Sequence, residues 1–286
     1  DRRAVGGEIR GPPPGRGPRG PGRQRGGSGR RSASTPGTFA PPDGRFDMVD
    51  VDLDDLARAY RFRPASVDSL ARAERAGRRL EPGTRVLDVG GGPGNHAAVW
   101  SGKGLRPVVL DPSAVMLAAV HDRGLVGVRG RAQGLPFRSL RFALVWFHLS
   151  IHYGDWKVAI DEAVRVIDRS GTVEIWTLGS DHHEQSWLAQ WFPSVPSIES
   201  QRFPDPAVLA EFLGTRVRSV ELSHSIESVV RPVGEWQRAI EAGFISTLQL
   251  IPEDERLAGM AAIRDAHLAA GGSVSYQLRF TRIVGR

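Results

Sequence analysis

The sequence predicts an α/β protein built on a doubly wound, mostly parallel sheet, and three observations carry that prediction. Short apolar runs at 86–89, 107–110, 125–128, 142–147 and 173–178 read as buried strands, and helical patterns at 95–102, 113–122 and 156–168 separate most of them. Such alternation sets parallel strands side by side with helices on both faces. A glycine-rich turn follows the first run, and an acid, Asp111, ends the second, at the carboxyl edge where open sheets of this kind bind ligands.

Ahead of the first strand, residues 52–60 read as a short helix with acids in its first turn, and 66–79 as a second, opening after Pro64 and closing before Pro82-Gly83. After the fifth strand, 184–270 departs from the regular alternation. Trp187, Trp191, Phe192, Phe203 and Trp236 punctuate it, with Pro193, Pro196, Pro204 and Pro206 as breakers. Most of these aromatics are expected to pack a helical cap, the rest to line a pocket. The tail 273–283 alternates apolar and polar residues, as a strand with one wetter face does.

The chemical signal is concentrated in Arg85-Val-Leu-Asp-Val-Gly-Gly-Gly-Pro-Gly-Asn-His96. Gly90, Gly92 and Gly94 alternate between strand and helix, where glycine permits a tight turn and close approach of backbone amides to a ligand. Asp88 stands at the strand end, placed to accept hydrogen bonds from an ammonium or an amide. A dinucleotide fingerprint would need a third glycine at 95, where Asn95 stands, and Pro93 removes one amide from any pyrophosphate cradle. No Gly-Lys-Ser/Thr follows, which excludes a P-loop. Asp111 comes 17 residues after Gly94 in Val108-Val-Leu-Asp-Pro-Ser113, positioned to take the ribose hydroxyls of an adenosine. Ser113 is the expected N-cap of the next helix.

The 286 residues carry 38 Lys+Arg against 32 Asp+Glu, a net charge of +6, and a pI near 10.5. A basic chain points to nucleic acid, but residues 1–47 alone hold ten arginines and four acids, the entire net charge. Twelve glycines and eight prolines crowd the first 45 residues, and Phe39 is the one aromatic before Phe46. That segment is expected to be a disordered extension ahead of Met48, with no part in the chemistry. The lack of cysteine excludes disulfides, thiolate metal sites and a Cys nucleophile. No apolar run approaches the roughly 20 residues of a membrane span, and with no leader-like segment at the start the expected location is cytoplasmic.

On these residues the chain resembles the class I S-adenosylmethionine-dependent methyltransferases, of the small-molecule type 11 group related to ubiquinone and menaquinone biosynthesis enzymes. The matching segments are Val86-Leu-Asp-Val-Gly-Gly-Gly-Pro-Gly94, Leu110-Asp-Pro-Ser-Ala-Val-Met-Leu117, Ala132-Gln-Gly-Leu-Pro-Phe137 and Glu162-Ala-Val-Arg-Val-Ile167 followed by Gly171. The resemblance implies a Rossmann-like seven-stranded sheet with an antiparallel last strand and a helical cap. It implies S-adenosylmethionine as cofactor and a small-molecule methyl acceptor as partner; no membrane is expected, and nucleic acid stands only as an alternative. It divides 48–286 into N-terminal helices (48–82), a cofactor-binding core (83–180), a cap with a late strand (181–270) and a C-terminal strand (271–286).

Carried across, Gly90, Gly91, Gly92 and Gly94 would set backbone against the methionine portion and Asp88 would hold its amino group. Asp111, with Pro112 and Ser113, would hold the ribose, while Ala132 and Gln133 would lie beside the adenine. Tyr60-Arg-Phe-Arg-Pro64 resembles a covering element in some members, which would bring Arg63 to the methionine carboxylate. Two departures stand out: Arg131 replaces the family's usual acid, so Gln133 or backbone would have to receive the adenine amino group, and Ala143 replaces a usual Asp.

A sulfonium methyl is already activated, so the reaction needs mainly positioning and exclusion of water; a base depends on the acceptor. The segment Phe147-His-Leu-Ser-Ile-His-Tyr153 lines cofactor and acceptor in related enzymes, which makes Phe147 a cofactor contact and His148 and His152 the candidate bases. Asp181-His-His-Glu184 looks metal-like, but adjacent histidines do not share a helix face and no third ligand is evident, so no metal is expected. A surface loop is expected there, with lining of the acceptor entrance at the carboxyl edge as the alternative. Two other classes stay open: a nucleic-acid methyltransferase using the basic arm, and a non-catalytic protein that keeps the fold.

Overall fold

The computed structural model describes residues 57–58, 65–243, 245–269 and 272–286. The 1–47 extension, Arg63 and most of the 52–60 helix lie outside the described residues, within which 57–58 are helical. The described chain runs α1 (Val67–Gly77), β1 (Arg85–Val89), α2 (Asn95–Gly102), β2 (Arg106–Asp111), α3 (Ala114–Asp122), β3 (Val126–Arg129), β4 (Phe142–His148), α4 (Trp156–Val166) and β5 (Ile167–Leu178). It continues with α5 (Ser180–Gln185), a 3-10 turn (Trp187–Gln190), α6 (Val195–Arg202), α7 (Pro206–Gly214), β6 (Val220–Pro232), α8 (Val233–Glu241), a second 3-10 turn (Ser246–Gln249), α9 (Glu253–Ala269) and β7 (Ser273–Gly285).

The seven strands form one sheet in the order β3-β2-β1-β4-β5-β7-β6. β1 to β5 pair in parallel, and β7 inserts antiparallel between β5 and β6. The doubly wound, mostly parallel sheet with an antiparallel last strand is therefore the fold observed. Both faces of the central strands are buried. Leu87, Val89, Val145, Phe147 and Ile175 meet α4 and α7 through Ile160, Ala163, Leu209 and Leu213. Their neighbours Val86, Leu144, Trp146 and Trp176 meet α1 and α2 through Ala73, Ala76 and Trp100. Trp100 adds a hydrogen bond from Nε1 to Ala73 O at 2.7 Å. Burial on this scale contributes about 1.5–3 kcal/mol per large side chain.

Local signals set most of the helix starts. Ser66 Oγ accepts from Ser69 N at 3.0 Å, Asp155 accepts from Lys157 N and Val158 N, and Asp205 does the same for α7 ahead of Pro206. Each cap satisfies amides that the first turn leaves without partners. β5 begins at Ile167, earlier than the apolar run predicts, and α4 stops at Val166. Ile167 pairs with Phe142 before the register shifts toward Leu144; a Cβ at Gly171 would come within 2.9 Å of Phe142 O, so glycine is needed where the two backbones crowd. Among the described residues no helix is long and apolar enough to cross a membrane.

A second core holds the cap together. Phe192, Ile198, Trp236, Ile240, Leu248 and Ile263 are buried with Trp187 and Val274. The segment 181–184 is not the surface loop its polarity suggests: it lies in α5, with His182 6% and His183 1% exposed. Both rings are buried because each finds a partner. His183 Nδ1 lies 2.8 Å from Glu199 Oε2, and His182 Nδ1 accepts from Arg279 N at 3.3 Å.

Candidate functional site

The site lies at the carboxyl edge of β1, β2 and β4, three neighbouring strands of the sheet. Gly90, Gly92 and Gly94 all have positive φ, at 66°, 55° and 79°, a region that costs other residues roughly 1–2 kcal/mol. A Cβ at Gly90 would meet Ser150 Cβ at 2.6 Å, and one at Gly91 would meet Asp88 Cγ at 2.5 Å. The turn is pinned by Gly90 N and Gly91 N donating to Leu110 O. Ser150 Oγ also donates to Val89 O at 2.6 Å, tying the loop after β4 to β1.

Asp88 is 1% exposed, and neither carboxylate oxygen has a hydrogen-bond partner among the described residues. Burial first, then the nearby Asp111 charge, raises its pKa from 3.8 to about 8. His96 Nδ1 stands 3.9 Å from Asp88 Oδ2, but burial and Arg72 push that histidine down to about 4. The contact is therefore between two neutral groups near pH 7, not an ion pair. A buried carboxyl kept without a partner is costly, and a cationic ligand group supplied from the cavity would relieve it.

Asp111 is engaged in shaping the cradle. Its Oδ2 accepts from Gly92 N at 3.0 Å and its Oδ1 from Ser113 N at 2.9 Å, while Ser113 Oγ caps α3 through Met116 N. A carboxylate has about four acceptor sites, so one group can serve both the backbone amides of the cradle and further donors. A small cavity of about 90 Å³ opens beside it, lined among others by Met116, Arg131, Ala132, Gln133 and Tyr153. Gln133 Nε2 is committed to Tyr153 O and Asp155 O, at 3.0 and 3.3 Å, which leaves Oε1 as its acceptor atom. Pro112 and Gly92 border the same cavity, and Arg131 reaches it from an exposed position.

A larger cavity of about 490 Å³ begins at the glycine turn and runs under the cap. Asp88, His96, His148 and His152 line its inner end, and Trp187, Trp236 and Tyr276 its outer wall, with Phe203 between. Those three outer rings stand 4.9–6.0 Å apart, centroid to centroid, so they serve both as cap core and as cavity wall. Leu149, between the two candidate bases, is held at φ 54°, strain that tends to gather at functional sites.

The structure separates the histidines. His148 Nε2 accepts from Arg72 Nη1 at 3.3 Å and lies 4.8 Å from the His96 ring, so its lone pair is occupied by a permanent cation. His152 is buried, stacked on Phe203 at 3.9 Å and against Tyr153 at 4.2 Å. Phe147 requires a correction. Its side chain is fully buried on the α4 face of the sheet and lines neither cavity, because alternate residues of β4 point to opposite faces.

Sequence reasoning passed over a buried cluster behind His148. Arg72, 3% exposed, pairs with Glu227 Oε2 at 3.1 Å and lies over Phe280 and Trp176 at 3.9 and 4.7 Å. Ser69 Oγ and His96 Nε2 are 2.7 Å apart. The signal was present: Ser69, Arg72, Ala73 and Ala76 occupy one face of α1, and an arginine within an otherwise small apolar stripe marks a buried partner.

Comparison with known proteins places the same segments in a recognised context. Residues 87–175 match the family model described as a methyltransferase domain. A malonyl-[acyl-carrier protein] O-methyltransferase from Erwinia billingiae is 34% identical over 132 residues, which is 44% of this chain and 51% of that protein. A demethylmenaquinone methyltransferase from Mycobacterium marinum is 32% identical over 105 residues, 36% of this chain and 46% of that protein. The chain thus spans about half the length of the curated relatives it matches. A solved structure described as a methyltransferase from an antibiotic biosynthesis pathway of Anabaena variabilis superposes with a TM-score of 0.60 at 19% identity, covering 76% of this chain and 97% of that one; it establishes a shared fold.

Proposed function

We propose, with residues 87–175 belonging to a methyltransferase-domain family as the premise, that this chain transfers a methyl group from S-adenosylmethionine to a small-molecule acceptor held under the cap. The observation that carries the reading is Asp88, a buried carboxyl without a partner among the described residues, facing a cavity behind a turn of three positive-φ glycines. Those residues suit the cofactor. Asp88 would receive its ammonium, the glycine turn its methionine backbone, and Asp111 its ribose hydroxyls, with Ala132 and Gln133 Oε1 at the adenine. When bound, the cofactor supplies an electrophilic methyl group on a sulfonium.

The chain's own residues then have three tasks. The glycine turn and Asp88 orient the donor, and the aromatic wall of Trp187, Trp236 and Tyr276 holds an apolar acceptor and excludes water, so that alignment does most of the catalytic work. His152, at the inner end of the cavity, takes the acceptor's proton where the acceptor must lose one. His148, bonded to Arg72, is a wall residue.

Two measurements test these roles. Asp111→Ala is expected to weaken S-adenosylmethionine binding by about 1–3 kcal/mol, the scale of a lost charged hydrogen bond; unchanged affinity in calorimetry would refute the ribose assignment. His152→Gln is expected to lower kcat by roughly 10²–10⁴, the usual contribution of a positioned base, with cofactor affinity kept. A His152→Gln enzyme with full kcat on its acceptor would remove His152 from the mechanism. Absence of cofactor binding at millimolar concentration would retire the enzymatic reading altogether.

A further inference from the structure

We propose that β6 is a self-pairing edge, through which two copies of this chain join their sheets about a twofold axis at Ile226. This inference does not depend on the catalytic reading. β6 ends the sheet, and among the described residues its one strand neighbour is β7. The two strands pair without a bulge from Val220 to Pro232, so β6 presents a straight outer edge of 13 residues, about 43 Å long. Proteins that stay monomeric guard such edges with lysine, proline, bulges or inward charges. Between 222 and 230 there is no lysine, arginine or proline, and the one acid, Glu227, is neutralised inside by Arg72.

The exposed residues suit one register. Leu222, Ile226 and Val230 are 40%, 57% and 68% exposed and share one face of the strand at a spacing of four residues. With Ile226 on an axis perpendicular to the sheet, the two Ile226 side chains meet. Leu222 then faces the partner's Val230, and Glu221 faces the partner's Arg231. Arg231 has no ion-pair partner among the described residues, and Glu221 is 55% exposed beside Arg286 and Arg282. The symmetry makes each of these contacts twice. Moving the axis to Ser225 sets Glu221 against the partner's Val229 and breaks the apolar stripe. Moving it to Glu227 sets two glutamates opposite each other, which is unfavourable.

Light scattering on the full chain during size exclusion, at high micromolar concentration, is expected to give twice the chain mass of 31.1 kDa. Glu221→Arg and Arg231→Glu should each raise the dimer dissociation constant about tenfold or more, because each creates two like-charge cross-strand pairs. The double reversal Glu221→Arg/Arg231→Glu should bring it back, and that recovery also shows that the single variants fold. Ile226→Lys, with two ammonium groups on the axis, should be monomeric with an unchanged circular dichroism spectrum. A monomeric wild type, including one whose edge is covered by another segment of its own chain, overturns the proposal. So does a dimer indifferent to Ile226→Lys, or a double reversal that stays as weak as the single variants.

Discussion

Replacing Asp88 by asparagine is expected to weaken S-adenosylmethionine binding by roughly 2–5 kcal/mol, the range for removing one partner of a buried charge pair, while making the unliganded chain more stable. Both effects come from the same environment. The carboxyl is 1% exposed, has no hydrogen-bond partner among the described residues, and titrates near 8 where an ordinary aspartate titrates at 3.8. Between those two values the unfolded chain has released this proton and the folded chain retains it, so the contribution of Asp88 to stability falls as pH rises from about 4 and levels off above about 8. His96 and His182 act in the opposite sense. Burial lowers both from 6.5 to about 4, so they add stability as pH rises through that interval.

The clean window for Asp88 is therefore pH 6.5–8, where wild-type thermal stability should decline and that of Asp88→Asn should decline less. Cofactor affinity runs the other way. An ammonium binds the ionised carboxylate, so one proton leaves for each cofactor bound, and affinity should rise up to about tenfold per pH unit toward pH 8 while the ligand amine stays charged. Calorimetry in two buffers of different ionisation enthalpy counts that proton directly. A wild-type affinity flat from pH 6 to 8 would show that Asp88 does not receive the amine.

Arg72→Met is expected to cost about 3–5 kcal/mol of unfolding free energy, because it leaves Glu227 buried and unpaired. Arg72 and Glu227 are 3% and 4% exposed, so solvent offers Glu227 little compensation. Arg72→Met/Glu227→Leu should recover most of the loss, since a buried ion pair exchanged for apolar groups is often close to neutral. Urea titration of the two variants and the wild type measures both terms. If the double variant is no more stable than Arg72→Met, packing of the guanidinium over Phe280 and Trp176 is what matters, not its charge. The ion pair ties α1 to β6 beside the cavity, and Ser66 and Ser69 of that region line it, so the single variant should also loosen cofactor binding.

The parts of the site that could be read from sequence are those that one contiguous segment specifies. Asp88 and the glycine turn fall within seven residues, and Asp111 follows at the end of the next strand, so strand period and turn chemistry suffice to bring them to one sheet edge. Helix starts were legible for the same reason: Ser66, Ser113 and Asp155 each bond to amides two or three residues away. Phe147 shows where this ends. In a strand buried on both faces every residue is apolar, so the pattern that identifies the strand no longer tells which side chains face the ligand.

The surface-loop reading of His182 and His183 fails for a related reason, although His182 does line the larger cavity. Their polarity reads as solvent exposure until Glu199, 16 residues on from His183, and the amide of Arg279, 97 residues on from His182, are folded against them. The sequence by itself determined the sheet, its winding and the ligand-facing turn, because these follow from local periodicity, glycine conformation and short-range capping. Only the tertiary structure decided which charges are buried, that Asp88 has no hydrogen-bond partner among the described residues while Arg72 meets Glu227, and that β6 is the strand that ends the sheet. Desolvation and pairing depend on groups that meet in space, and 155 residues separate Arg72 from Glu227.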